Sequence, residues 1–308
     1  MNLRKNVLLK NYSNYKIGGP ARLFVEIRSI DDLKEVLSSF KEEKVFILGG
    51  GTKILISDKG FDGLIVYNRI EGIEEIEEGL MVGSGVLVKD IVDYCVKNSL
   101  SGFEWAGGLP GTIGGAVRGN AGAFKGETKD AVLGVESLDM KTFVQQLRNS
   151  EECQFGYRTS IFKTDAAGDE FITRIILKLT PGDRMEIYEK TQQKVDYRNN
   201  RHPMDSPSIG STFKNIPLDS LSPELQKEFS PLVKVDPFPV VLATKLLALC
   251  NLKGKKVGAA MISDKHPNFI INTGNATAKD VKELIEIAKE AVKKKYNVDL
   301  EEEIIYLD

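Results

Sequence analysis

Three consecutive glycines, Gly49, Gly50 and Gly51, directly follow the apolar run VFIL at 45–48. Successive N–H groups displayed after a buried strand form a concavity suited to phosphate or pyrophosphate oxygens. A tight turn needing positive φ is the plainer reading of the same residues. The dinucleotide fingerprint G-x-G-x-x-G fails, because its third glycine would fall on Ile54. The Walker pattern fails too, since no Lys-Ser/Thr follows a glycine at the required spacing. About 60 residues on lies GFEWAGGLPGTIGGAVRGNAGAFKG (102–126), with nine glycines in 25 residues and Trp105, the only tryptophan. Glycines interleaved with apolar residues suit backbone packed against something flat or bulky. Two such stretches can converge on one large planar or phosphorylated ligand, although a glycine-rich structural turn also explains the second.

The surrounding pattern predicts the elements that carry these loops. RLFVEIR (22–28) reads as a strand. A helix follows, with Ser29 and Asp32 resembling a capping box and Leu33, Val36, Leu37 and Phe40 at helical spacing. VFIL (45–48) and LIVY (64–67) read as strands, so the start of the chain forms a small α+β unit. Residues 88–98 suit a helix, 171–179 a long strand, and about 184–197 a second helix. The polar stretch DYRNNRHPMDSPSIGS with Pro203 and Pro207 is the candidate domain boundary. Five of the eleven prolines crowd 217–239, predicting a proline-rich loop with a helical turn or two near 222–229. Thr277 and Asp280 cap a helix whose apolar stripe is Val281, Leu284, Ile285, Ala288 and Val292, and Lys293, Lys294 and Lys295 stand at its C-terminal end. A final strand, EEIIYL, follows.

Composition narrows the classes. The 308 residues are 42% hydrophobic and 28% charged, a globular balance. Lys plus Arg is 42 and Asp plus Glu 44, so the net charge of −2 gives no footprint for nucleic acid or an anionic membrane. Three scattered cysteines (Cys95, Cys153, Cys250) and two histidines (His202, His266) offer neither a disulfide framework nor a metal cluster. No run of about 18 apolar residues occurs, and the N-terminal stretch lacks a signal-peptide core, so the expectation is a cytoplasmic protein without membrane insertion.

VFILGGGTKILISDKGFDGLIV, GLPGTIGGAVRGNAGAF and FGYRTSIFK together resemble the FAD-binding region of the UDP-N-acetylenolpyruvoylglucosamine reductases, within the p-cresol methylhydroxylase/vanillyl-alcohol oxidase (PCMH/VAO) flavoprotein superfamily. PSIGSTFKN, NLKGKKVGAAMISDKHPNFIIN and LEEEIIYL are similar to that family's substrate domain, so the resemblance runs from about Asn11 to Leu307. It implies an α+β chain: a two-lobed PCMH-type FAD-binding domain (1–67 and 68–197, with the flavin region at about 16–182), then a smaller α+β substrate-binding domain (198–308). It implies an oxidoreductase of peptidoglycan synthesis, expected as a monomer. NADPH reduces FAD, which then gives hydride to C3 of UDP-N-acetylglucosamine enolpyruvate, and a proton at C2 completes UDP-N-acetylmuramate.

The same resemblance assigns the site. FAD would lie on Gly49, Gly50, Gly51, Thr52 and Lys53, and on Gly108, Gly111, Thr112, Gly114, Gly115, Asn120, Ala121 and Gly122. Arg158, in FGYRTS, would stabilise the developing aci-carboxylate, a task suited to a planar, permanently charged guanidinium. Ser211, in IGSTFKN, would give the proton to C2; serine is a weak acid, so the site must activate it by position. The terminal glutamate would assist the arginine. Strand alternation does not choose among Glu301, Glu302 and Glu303, and the family's L-E-P-E pattern selects Glu303. Arg198, Arg201 and Asn215 would contact the substrate; a solvated loop is the alternative for the two arginines.

This chain departs from the family pattern in places. Thr52-Lys53 replaces the usual Ser-Asn, and Ile216 separates FKN from Pro217. The short stretch from Arg158 to Arg198 leaves no room for the substrate-covering tyrosine loop of the longer subtype. His266 and Asn268 fit the shorter subtype, whereas 216–240 resembles the longer one. The cysteines and histidines lie outside both glycine stretches, which predicts non-covalent FAD. The competing readings are another oxidoreductase of the superfamily, such as an alcohol oxidase, and a sugar-nucleotide binder without flavin.

Overall fold

The computed structural model of the chain describes residues 2–308. These divide into two compact units. One comprises 2–7, Ala21–Gly50 and Asp62–Asp196; the other comprises Leu8–Pro20, Gly51–Phe61 and Tyr197–Asp308.

The first unit holds two larger sheets with separate cores. In one sheet the strands lie in the order Leu3–Leu8, Pro20–Ile27, Phe61–Asn68, Val45–Leu48. The last two are parallel, with Val45 opposite Leu64 and Leu48 opposite Tyr67. Parallel neighbours need a crossover, and the chain between them carries the triple-glycine turn. The helix Ile30–Ser39 begins as its sequence predicts, the Ser29 hydroxyl accepting from the Asp32 amide at 3.0 Å. It buries Leu33, Val36 and Leu37 against Leu23, Val25, Leu64 and Val66. The second sheet is antiparallel throughout, in the order Gln145–Asn149, Val132–Asp139, Glu170–Leu177, Gly79–Gly83, Ile73–Ile76. Its core includes the helix Val88–Lys97, the short helix Ile113–Arg118 and Trp105. Trp105 is 8% exposed and meets Phe103 edge-on at 5.4 Å, so the glycine-rich stretch is anchored rather than loose.

The second unit is built around Ala278–Tyr296. Thr277 and Asp280 form the expected capping box, and Val281, Leu284, Ile285, Ala288 and Val292 are fully buried. The helix ends in a left-handed Asn297, a conformation that asparagine tolerates. Around it lie the sheet Lys256–Val257, Ala260–Ile262, Ile270–Asn272 and the parallel pair Ile54–Ile56 with Ile305–Leu307.

Several elements depart from the sequence expectations. The helix expected over about 184–197 runs on over Arg184–Arg201; nothing before Pro203 removes an amide donor, so the polar residues simply extend it. The stretch 217–239 forms the Ser222-capped helix Pro223–Phe229 and a three-stranded sheet of Ile216–Pro217, Pro239–Val241 and Val233–Val235. Pro217 and Pro239 sit at strand ends, where a missing N–H is tolerated. Leu8–Pro20 and Gly51–Phe61 fall in one compact unit with Tyr197–Asp308. Tyr15, 1% exposed, donates its hydroxyl to Ile270 O at 2.8 Å, and Asn272 Nδ2 donates to Tyr15 O at 3.0 Å.

Candidate active site

The two glycine stretches meet within the first unit. A Cβ built on Gly50 would lie 2.7 Å from Gly111 Cα, and one on Gly49 would lie 2.8 Å from Thr112 Oγ1. Backbone therefore touches backbone, which no larger residue would permit. Thr112 caps the helix Ile113–Arg118, its hydroxyl accepting from the Gly115 amide. Gly114 abuts Ser84, so packing within the protein explains it. Gly115 is different: it is exposed, and an added Cβ would meet nothing nearer than Thr112 Oγ1 at 3.5 Å. Packing within the protein does not require a glycine there, whereas a flat ligand laid against the helix does. The converging glycine backbones and this open glycine fit FAD.

Arg158 stands in a left-handed conformation, φ 57°, which a non-glycine residue adopts at a cost of about 1 kcal/mol and which recurs at functional sites. Its Nη2 donates to Gly122 O at 2.9 Å, so the guanidinium is tied to the second glycine stretch. Asn120, fully buried, donates to Gly156 O at 2.9 Å and accepts from the Lys129 amide at 3.1 Å. Assigned to FAD by resemblance, its side chain is committed here to holding the turn that carries Arg158. Gly108, Ala121 and Gly122 lie along the same stretch, and Ala121 O accepts from both the amide and the hydroxyl of Thr128.

In the second unit Ser211 and Glu303 are brought together by the flanking backbone. Thr212 N donates to Asn268 O at 2.7 Å, and Glu303 N donates to Thr212 O at 2.9 Å. Asn268, 3% exposed, also clamps Phe213, accepting from its amide and donating to its carbonyl, both at 2.9 Å. Asn268 thus fixes the segment bearing Ser211; the sequence signal was an asparagine set directly before the apolar run FII. The three glutamates separate cleanly. Glu301 is 71% exposed and pairs with Lys214, and Glu302 pairs with Lys289 and Tyr306. The Glu303 side chain is 9% exposed and pairs with Lys53 Nζ at 2.8 Å. The same ammonium donates to Ser211 O at 2.6 Å. Lys53, expected on the flavin loop beside Thr52, thus directs its charge to Ser211 and Glu303.

The proposed substrate contacts fare unequally. Arg198 lies on a helix rather than a loop and is 8% exposed, and burial pushes its guanidinium down to about 10. Arg201, three residues on, is exposed. Asn215 accepts from the Ala243 amide at 3.2 Å, which ties it to the start of the helix Ala243–Leu249.

The candidate attachment residues are chemically quiet. Burial pushes the Cys95 thiol up to about 12 and the Cys153 thiol up to about 11, far from a nucleophilic thiolate. Burial first, for both rings, pushes His202 and His266 down to about 4; the two pack as neutral aromatics at 5.0 Å, with Phe269 against each. No group of three metal-ligating side chains occurs among the described residues. Acid precipitation is accordingly expected to release all flavin into the supernatant; yellow colour retained by the pellet would refute non-covalent binding.

Comparison with known proteins agrees with this architecture. Residues 21–146 match the FAD binding domain family, and residues 202–307 match the C-terminal domain of UDP-N-acetylenolpyruvoylglucosamine reductase. The chain is 34% identical to the UDP-N-acetylenolpyruvoylglucosamine reductase of Clostridium tetani, over 99% of this chain and 92% of that one. It is 36% identical to the enzyme of the same name from Caldanaerobacter subterraneus subsp. tengcongensis, over 97% of this chain and 91% of that one. The crystal structure of the reductase (MurB) from Thermus caldophilus superposes with a TM-score of 0.79 at 30% identity, covering all of both chains. The flavin-binding match and the converging glycines make this chain an FAD-dependent oxidoreductase. With flavin and C-terminal domains both matched and likeness running over essentially its whole length, it belongs to the UDP-N-acetylenolpyruvoylglucosamine reductase family.

Proposed function

We propose that the protein reduces the enolpyruvyl group of UDP-N-acetylglucosamine enolpyruvate to yield UDP-N-acetylmuramate, with NADPH as the reductant. The observation that carries this reading is the full-length likeness to reductases, which embraces both the flavin and the C-terminal domains. FAD, when bound, would supply the two-electron hydride chemistry that links NADPH to C3 of the enolpyruvyl group. The backbone of Gly49, Gly50, Gly51 and Thr52 and the segment from Gly108 to Gly122 would hold it, with the open position at Gly115 leaving room for it.

The remaining work belongs to side chains. As hydride reaches C3, negative charge grows at C2 and on the substrate carboxylate. Arg158 stabilises that charge with a donor that cannot lose its proton. The Ser211 hydroxyl gives its proton to C2, and the resulting alkoxide regains one from solvent. Glu303, held beside Ser211, acts in the same proton-transfer step. Arg198 and Arg201 bind the anionic parts of the nucleotide, and Asn215 supports the segment that carries Ser211. A nucleotide sugar and NADPH as substrates fit a cytoplasmic location.

The test is anaerobic. Bleaching of the flavin by NADPH, followed by return of its absorbance near 450 nm when the enolpyruvyl nucleotide is added, with one UDP-N-acetylmuramate formed per flavin, is the expected result. Flavin that stays bleached with this nucleotide but is reoxidised by oxygen would assign the chain to another reaction of the superfamily.

A further inference from the structure

The side chain of Lys53 joins three parts of the chain that the reaction must hold in register. Its Nζ lies 2.6 Å from Ser211 O and 2.8 Å from Glu303 Oε2, while its own carbonyl accepts from Ile305 N at 2.9 Å. The residue therefore grips the terminal segment twice, by backbone and by side chain. It stands one residue before the strand Ile54–Ile56, which pairs in parallel with Ile305–Leu307. This ladder fixes the backbone of Lys53 relative to Glu303 before the side chain adds anything. Gly210, φ 79°, comes close enough that a built Cβ would sit 3.7 Å from Nζ, so the turn leading into Ser211 is moulded around the ammonium.

We infer that Lys53 is a positioning residue for the proton-transfer half of the reaction, setting the main chain of Ser211 and holding the Glu303 carboxylate beside it. This inference rests on the roles proposed above for Ser211 and Glu303. A carboxylate only 9% exposed is costly to leave without a partner. Lys53, 35% exposed, supplies the countercharge from the residue that follows the glycine turn. An uncharged side chain of equal length would leave Ser211 O without this donor and would remove this countercharge from Glu303. Proton donation by an unactivated hydroxyl depends on placement, and misplacement by about 1 Å costs about 10²-fold.

The experiment uses the flavin-loaded enzyme and the variants K53M, K53R, E303Q and K53M/E303Q. In K53M, flavin content and the rate of flavin reduction by NADPH are expected within about twofold of wild type. Reoxidation by the enolpyruvyl nucleotide should slow about 30- to 100-fold. Affinity of the oxidised enzyme for UDP-N-acetylmuramate, measured by calorimetry, should change by less than about threefold, because position rather than ground-state binding is lost. K53R, which keeps charge and donors, should recover to within about fivefold. The double variant should be no more than about threefold slower than the slower single one, since both substitutions break one unit.

Three outcomes overturn the inference and are distinguishable. If E303Q slows reoxidation while K53M does not, Lys53 has no such role and the reading of Glu303 stands. If E303Q leaves reoxidation unchanged, the role given to Glu303 fails, and the inference with it. Loss of flavin from K53M, with reoxidation per bound flavin unchanged, would instead make Lys53 a cofactor ligand.

Discussion

Ser211→Ala is expected to stall the enzyme halfway. The hydroxyl is proposed to act only once hydride has moved to the substrate, so flavin reduction by NADPH should proceed within about twofold of the wild-type rate. Reoxidation by the enolpyruvyl nucleotide should fall by about 10²- to 10⁴-fold, the range for loss of one general acid. The substitution removes a single oxygen from a segment whose path is set by main-chain bonds. Thr212 N and Phe213 N are both held by Asn268, and Ser211 O by Lys53, none of which involves the hydroxyl. The protein should therefore fold and load FAD normally. Rapid mixing should show bleached flavin persisting in the presence of substrate. Slowed reduction with intact reoxidation would make Ser211 a nicotinamide-positioning residue and leave the proton donor to be found elsewhere.

Two glycine substitutions should weaken flavin binding for different reasons. In Gly50→Val, the new Cβ falls 2.7 Å from Gly111 Cα and 3.3 Å from Thr112 N, so the two glycine stretches must separate. Overpacking of this kind costs about 1–3 kcal/mol, and binding weakened by that amount falls about 5- to 150-fold. Gly115→Val meets only Thr112 Oγ1 at 3.5 Å, an ordinary contact. The flavin-free form of this variant should keep the denaturation midpoint of the flavin-free parent. If FAD lies against this helix, the valine methyls occupy its place, and the ratio of absorbance at 450 nm to that at 280 nm should drop as steeply as in Gly50→Val. Full occupancy in Gly115→Val would remove Gly115 from the flavin surface. Full occupancy in Gly50→Val would show that contact between the two stretches does not matter for the cofactor.

The glycine clusters illustrate how much of a site can be read from one chain. A run of three glycines after VFIL, and nine more around Trp105, have no local use in a helix or strand, so a close approach was legible in advance. Helix starts at Ser29 and Thr277 were equally legible, because a cap is a local event between residues three apart. The helix end near Arg201 and the strands hidden in 216–241 were not. Proline spacing marks where an amide is missing, not which distant strand will accept the neighbouring carbonyl.

Which of Glu301, Glu302 and Glu303 is buried, and what each pairs with, needed tertiary structure. Regular alternation begins only at Ile305, where the pairing with Ile54 starts; the three glutamates precede it, so no period orders them. Their fates are set by Lys214, Lys289 and Lys53, partners 87, 13 and 250 residues away in sequence. Lys53 makes the same point from the other side. Read locally, it is the last residue of a flavin loop; in the folded unit, the parallel pairing of Ile54–Ile56 with Ile305–Leu307 carries its ammonium to Ser211 and Glu303. The sequence by itself determined the family and the flavin, because these follow from short motifs whose residues act within a few positions of one another. Only the tertiary structure decided which carboxylate is buried and which cation holds it, because burial and ion pairing depend on contacts that no local pattern encodes.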